Sequence, residues 1–243
     1  MAVDAVSDAS VDVRDGRDAF IEKWRARWPE WRIAETFVPP AERPSALAWA
    51  ALRQEFTDAA WAHRDTRPGD AKLAWWAEEL HGWSRGARRH PLGIELHRIA
   101  APWSALAGSL LTLPATRERP RDFDDALLGV GAIAEAIGDI DVALSGHAAG
   151  ASVPAISAQL LATRAATDID SAVPLSLLTQ SQGEQAAGRW RDALLARWPA
   201  SSEGRVARRV EAALARGRLR QGDLQAPLGA IATLATAWRA ARV

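Results

Sequence analysis

Residues Pro68 to Trp83 read Pro-Gly-Asp-Ala-Lys-Leu-Ala-Trp-Trp-Ala-Glu-Glu-Leu-His-Gly-Trp, and after a basic stretch the chain resumes as His90-Pro91-Leu92-Gly93-Ile94-Glu95-Leu96. Leu73, Trp76, Leu80 and Trp83 recur at spacings of 3, 4 and 3, which puts them on one stripe of an α-helix. Pro68 suits a first turn, Gly82 and Gly86 weaken the far end, and Pro91 opens a new element. Upstream, Pro44-Ser45 starts a second strong helix that carries Leu47, Ala48, Ala51, Leu52, Phe56, Ala59 and Ala60 on one side. It ends near His63–Asp65, before Arg67-Pro68, because a residue preceding proline is driven out of helical geometry.

The same periodicity organises the rest of the chain. Phe20, Trp24 and Trp28 predict a first helix from Asp15 to Trp28, with residues 1–14 as a disordered leader. Short helices are expected over Pro91–Ala100 and Pro102–Leu113. Asp122-Phe123-Asp124-Asp125 opens a long helix to Leu144, its acidic start suiting the positive end of the helix dipole. After a break at Gly146–Ser152, helices are predicted over Pro154–Ala166, Asp170–Gln182 and Glu184–Trp198. Ser201-Ser202-Glu203 caps one to Ala215, Gly217–Gly222 reads as a turn, and Ala226–Ala241 closes the chain. No stretch alternates with period two, so the fold class is all-α, a bundle of about ten helices in one domain over residues 15–243.

Composition narrows function. Lys+Arg 30 against Asp+Glu 30 gives no net charge, whereas a nucleic-acid-binding domain carries a basic excess. The local clusters Arg85, Arg88, Arg89; Arg205, Arg208, Arg209; and Arg216, Arg218, Arg220 read as solvated helix faces. With no cysteine and no tyrosine, thiolate chemistry, disulfides and phenolic proton donors drop out. His63, His81, His90, His97 and His147 never take a metal-ligand spacing and read as surface or capping residues. Asp4, Asp8, Asp12 and Asp15 spoil any signal-peptide layout, and neither Ile99–Thr116 nor Val142–Thr163 is apolar enough for a membrane span. The expectation is a cytoplasmic protein with no transmembrane segment.

Two blocks together carry a family resemblance. Pro39, then Arg43-Pro44-x-x-x-Ala48-x-x-Ala51-Leu52, then Thr57-Asp58-Ala59-Ala60-Trp61 resembles the first conserved block of the squalene/phytoene synthase family. Leu73-Ala74-Trp75-Trp76-Ala77-Glu78-Glu79-Leu80 with His90-Pro91-Leu92 is similar to the family's next block, in the same order and spacing. More weakly, Gln182-Gly183-Glu184-Gln185-Ala186-Ala187-Gly188-Arg189 resembles its second aspartate-rich block, and Pro227 to Arg239 its closing helix.

The resemblance implies an isoprenoid-synthase-like bundle around a central cavity. In that family, carboxylates on two facing helices bind Mg²⁺, which holds the diphosphates of two prenyl substrates. This chain departs from the pattern at both places. The three aspartates of the first block fall on Thr57, Asp58 and Trp61; in the second, Ser181 and Gln185 stand where aspartates are expected, leaving Glu184. Trp61 cannot ligate a metal and would fill part of the pocket. The residues left to face a diphosphate or metal are Arg53, Glu55, Asp58, Glu184 and Arg189, while Glu55 and Asp58 read equally as a solvated helix face and Arg53 and Arg189 as surface arginines. No catalytic residue and no metal ligand is assigned. The expectation is inherited scaffold without prenyltransferase chemistry: a binding or assembly factor for an isoprenoid ligand or a protein partner, docked through a tryptophan-rich surface, although most of the 12 tryptophans read as core residues, and with no cofactor. Relatives repurposed as respiratory-complex assembly factors give the precedent. The alternative is a Mg²⁺-dependent transferase joining two prenyl diphosphates head to head through an altered metal site.

Overall fold

The computed structural model describes residues 2–62, 65–145, 153–181, 183–199, 203–223 and 225–242, and for residues 2–14 the backbone alone. Among the described residues there are thirteen α-helices and no strand. They are α1 (Ala2–Arg27), α2 (Trp31–Ala34), α3 (Arg43–Trp61), α4 (Thr66–Trp83), α5 (Gly93–Leu96), α6 (Trp103–Leu110), α7 (Phe123–Ser145), α8 (Val153–Thr167), α9 (Ile169–Ala172), α10 (Leu175–Leu178), α11 (Glu184–Arg197), α12 (Val206–Gln221) and α13 (Ala230–Arg242). α2 runs straight into a 3-10 turn at Glu35–Phe37; with these two joined, ten helical segments reach seven residues or more. That is the all-α bundle the periodicity predicts.

α3 is the central rod. Fourteen of its residues are buried, six of them alanines, and small side chains let neighbours approach closely from several sides. α1, α4, α5, α8 and α12 all pack on it. α4 begins at Asp65, whose side chain accepts from the Arg67 amide at 3.2 Å, a standard N-cap bond. Its stripe Leu73, Trp76, Leu80 and Trp83 is buried against α3 and α6 as the spacing predicts. Gly69 makes the α3–α4 approach feasible: a Cβ there would stand 2.3 Å from the Ala59 carbonyl oxygen.

The turn after α4 is tied by one buried carboxylate. Glu79 accepts from Trp83 Nε1 at 2.8 Å, the Arg89 amide at 2.7 Å and the His90 amide at 2.8 Å. His90 is not a surface residue. It is buried, its ring centroid 4.5 Å from those of Phe20 and Trp76, and its Nδ1 accepts from the Leu92 amide at 3.2 Å. It caps the turn into α5, and an accepting Nδ1 means a neutral ring. Burial lowers its pKa to about 4 despite the nearby Glu55 and Glu79.

Several boundaries differ from the sequence reading. α1 starts at Ala2, so the backbone of residues 2–14, expected as a leader, continues the first helix. The helix expected over Asp170–Gln182 is two single turns, α9 and α10, parted at Pro174. Val173 before the proline is extended, at φ −70° and ψ 124°, as proline requires of its predecessor. α5 is shorter than Pro91–Ala100. α12 runs through Gly217 to Gln221 and stops at Gly222 with φ +90°. Gly217 serves packing instead of a turn: a Cβ there would lie 2.8 Å from Leu228 Cδ1. The break at residues 146–152, the cap at Ser201-Ser202, and Gln182, His63 and His147 lie outside the described residues. One apolar cluster extends from Ile21 to Ala237, and among the described residues no helix is long and apolar enough to cross a membrane.

Candidate functional site

Beyond Arg43 at its start, the charged residues of α3 fall into two groups on different sides of the helix. Glu55 and Asp58 form the first. Both are buried, not solvated as one reading of the sequence had it. Glu55 accepts from Lys23 of α1 at 2.6 Å on Oε1 and from Lys72 of α4 on Oε2. Asp58 accepts from Arg27 at 2.6 Å and Gln54 at 2.8 Å. Burial works to raise the Glu55 pKa, but hydrogen bonds and charge from the two lysines outweigh it and hold the group below the usual carboxylate range.

Arg53 belongs to the second group, which is enclosed by α3, α7, α8 and α12. It bonds Glu211 Oε2 and lies 5.4 Å from the Trp49 ring centroid. Gln159 Nε2 donates to the other oxygen of Glu211 at 2.9 Å. Arg208 Nη1 stands 3.5 Å from Glu211, and Arg208 Nε lies 3.4 Å from Asp141, which also accepts from Trp49 Nε1 at 2.7 Å. Burial would raise the Glu211 pKa; Arg53 and Arg208 overcome it and lower it. Burial likewise depresses Arg53, and Glu211 with Asp141 reverses that. Arg53 and Glu211 thus hold each other in the charged form inside the protein, while burial lowers the pKa of Arg208.

Four polar atoms of this group have no hydrogen-bond partner: Arg53 Nε, Asp141 Oδ2, Gln159 Oε1 and Arg208 Nη1. Arg53, Gln159 and Arg208 line a cavity of about 40 Å³ in the bundle, whose remaining wall includes Phe56, Leu113, Ile133, Ile137, Ile156 and Leu160. Trp28, Gln54, Gln159 and Thr163 line both this cavity and a larger hollow of about 520 Å³ at the surface, where Ala162, Ala166, Ala215, Arg218 and Pro227 add to the rim. Trp28 is fixed there by the Arg218 guanidinium, 4.0 Å from its ring centroid; Arg218 itself is buried on Glu30.

Of the five residues singled out in the sequence, only Arg53 reaches this cavity. Glu184 is exposed at the start of α11, a helix that packs on α8, α10 and α12, and lines a separate surface hollow. Arg189 is exposed and donates to Gln180 at 3.3 Å. Trp61 lines neither cavity nor hollow; its Nε1 donates to Thr116 at 2.9 Å. Mg²⁺ does not fit this arrangement. Glu55 and Asp58 already hold cations, Glu184 lies on another part of the bundle, and among the described residues no three His, Cys, Asp or Glu side chains are grouped to hold a metal.

Two further expectations are corrected. Arg205, Arg208 and Arg218 are buried, not solvated, whereas Arg85, Arg88, Arg89 and Arg220 are exposed as expected. Most of the tryptophans serve the core, as expected: Trp24, Trp31, Trp49, Trp61, Trp76, Trp83, Trp103, Trp190 and Trp198 are buried, which leaves little of a tryptophan-rich surface. Gln159, Arg208, Glu211 and Asp141 escaped the sequence reading. A signal existed for Asp141, four residues after Ile137 on the stripe of Val130, Ile133 and Ile137, where the period calls for an apolar side chain. Arg208 and Glu211 likewise interleave with the buried Ala207, Val210 and Leu214 on α12.

No family model matches the chain, and no curated protein matches it.

Proposed function

We propose that this chain is a ligand-binding protein with the scaffold of a divergent squalene/phytoene synthase-like bundle and without prenyltransferase activity. The observation that carries the reading is a cavity inside the bundle where Arg53, Gln159, Arg208 and Glu211 meet an apolar wall of Phe56, Leu113, Ile133, Ile137, Ile156 and Leu160, and which shares Trp28, Gln54, Gln159 and Thr163 with the larger hollow beside it. Such a mixed lining suits a ligand with an apolar body and a polar head. The hollow beside Trp28 gives the ligand its way in. The proposal also rests on the carboxylates that the resemblance would assign to Mg²⁺: Glu55 and Asp58 act as counter-ions of Lys23, Lys72 and Arg27, and in that role they position helices instead of metals.

The test follows thermal unfolding of the intact chain with farnesyl or geranylgeranyl diphosphate, with and without Mg²⁺, and with uncharged prenols and alkyl amphiphiles. A ligand at 100 times its dissociation constant stabilises the fold by about 2.7 kcal/mol. Stabilisation by at least one of these compounds, independent of Mg²⁺, is the expected result. No shift with any of them removes the binding reading. Mg²⁺-dependent release of diphosphate with a hydrocarbon product would establish the transferase instead.

A further inference from the structure

α13 gives little of itself to the core on which it lies. Of its 13 residues only Thr233 and Ala237 are buried. Ile231, Leu234 and Trp238, at spacings of 3 and 4, form a stripe on its outer face and are 86%, 51% and 44% exposed. The exposed Ala232 widens it. Among the described residues, the other large apolar side chains that reach the surface are Trp75, Leu111, Leu128, Ile169 and Leu175, and they stand one to a segment. Single exposures of that kind are ordinary; three in a row on one helix face mark a surface built to be covered.

The charge beside the stripe has one sign. α13 holds no Asp or Glu, and its arginines, Arg239 and Arg242, are exposed in the last turn, Arg242 lying 4.0 Å from the Trp238 ring centroid. Among the described residues neither forms an ion pair, in a chain whose charges balance overall. α12 packs antiparallel beside it: Arg209 donates to the Ala240 and Ala241 carbonyls, and Gly217 meets Leu228 ahead of α13. The sole carboxylate of α12 is Glu211, which is buried, whereas its Arg220 is exposed. The two helices thus expose apolar side chains and arginines and no carboxylate. An anionic bilayer complements that pattern. An interfacial helix sinks its apolar stripe to the boundary of acyl chains and headgroups, tryptophan sits at headgroup level, and arginines beside it meet lipid phosphates. With 13 residues, α13 is about 20 Å long, too short for a hydrocarbon core of about 30 Å, so it lies in the plane. A second copy fits less well, because an isologous contact sets α13 against itself and brings Arg239 and Arg242 no carboxylate from that helix.

We propose that α13 docks this protein peripherally on an anionic lipid surface, with Ile231, Leu234 and Trp238 inserted and Arg239 and Arg242 on the lipid phosphates. The docking goes beyond the binding reading above and does not depend on it. Gln225 and Pro227, which line the hollow of about 520 Å³, lead directly into α13, so docking brings that rim close to the lipid.

Co-sedimentation of the intact chain with vesicles tests this, using phosphatidylcholine alone and phosphatidylcholine mixed with phosphatidylglycerol. The chain should bind the anionic vesicles at least about tenfold more tightly than the zwitterionic ones, and less tightly as salt is raised. Each arginine at an anionic surface contributes about fivefold, so Arg239→Gln with Arg242→Gln should lose roughly thirtyfold. Ile231→Ser with Leu234→Ser should lose at least about tenfold. All four side chains are exposed, so these variants keep the fold, which circular dichroism and the urea midpoint verify. Leu128→Ser on α7, where Leu128 is 79% exposed, is the control and should retain full affinity. Absence of binding to anionic vesicles overturns the proposal. So does full affinity in either double variant, or an equal loss in Leu128→Ser. A dimer in sedimentation velocity that Leu234→Ser dissolves assigns the stripe to a second copy and also overturns it. The thermal-unfolding titrations that test the binding reading use no vesicles, so either reading can fail while the other stands.

Discussion

Glu55 with Asp58 and Arg53 with Glu211 bring buried charge to the same helix, less than two turns apart, yet their surroundings end in different states. Around Glu55 the partners are lysines whose side chains remain 53% and 41% exposed. Such long stems swing, keep water on their far side and adjust until each carboxylate oxygen is occupied. Around Arg53 the partners Glu211, Asp141 and Gln159 are fixed on packed helices and enclosed. Four atoms of the group make no hydrogen bond, and two of them, Asp141 Oδ2 and Arg208 Nη1, are held only by ion contacts of 3.4 and 3.5 Å. A rim of flexible cations saturates itself; a polar group fixed inside a core is left with hydrogen bonds unmade.

The largest effect should come from breaking the rigid group. Glu211→Ala leaves Arg53 and Arg208 buried without their shared counter-ion and should lower stability by about 3–5 kcal/mol in urea unfolding. A loss under about 1 kcal/mol would mean that water already reaches these guanidiniums and that the contrast with Glu55 is one of degree only. Next, Gly69→Ala pushes a methyl into the Ala59 carbonyl and moves α4, with Lys72, off α3. A cost of about 1–3 kcal/mol is expected. A crystal structure of the variant should show the Lys72–Glu55 ion pair broken and the Arg53–Glu211 pair intact.

His90 lies beside the Glu55 group and supplies a pH test. Its folded pKa of about 4 is below the ordinary value of 6.5. Between those values the unfolded chain binds a proton that the folded ring refuses, so stability falls as pH drops from about 6.5 to 4 and is unaffected by this group above that window. The loss should be roughly 2 kcal/mol, allowing for partial solvent access. Glu55 and Glu79, both held below the usual carboxylate range, stay charged in most of this window and weaken the fold only at lower pH. Urea midpoints at pH 7 and pH 5 should differ in the native chain and converge in His90→Asn. An equal difference in both would assign the slope to the carboxylates.

The α4 stripe, the α3 start at Arg43-Pro44 and the all-α class were legible because apolar spacing states them directly: Leu73, Trp76, Leu80 and Trp83 are buried as their period requires. The site was much less so. A charge on a helix face is ordinarily solvated, and that rule fails for Arg208, Arg218 and Glu55, whose partners include residues on helices distant in sequence. Glu211 meets Arg53 across 158 positions. No local pattern encodes such a pairing. It exists only once α12 lies against α3, and Gly217, which reads as a turn, instead lets Leu228 from the segment before α13 pack onto α12.

The smallest effect is the sharpest check on the contrast. Lys72→Met keeps the aliphatic stem that covers α4 and removes one cation from Glu55, which still has Lys23 at 2.6 Å. A half-exposed pair with a second partner in reserve should cost less than about 1 kcal/mol, and less still in high salt. The substitution should also act at a distance from stability itself. Lys72 is one of the charges that depress His90, opposing Glu55 and Glu79. Without it those two carboxylates act with less opposition, so His90 should take up its proton at a higher pH and the acid-sensitive window should narrow from below. A cost of about 2 kcal/mol or more, or an unmoved His90 titration by NMR, would show that the lysines are as rigidly placed as Glu211 and that flexibility is not what distinguishes the two sides of α3.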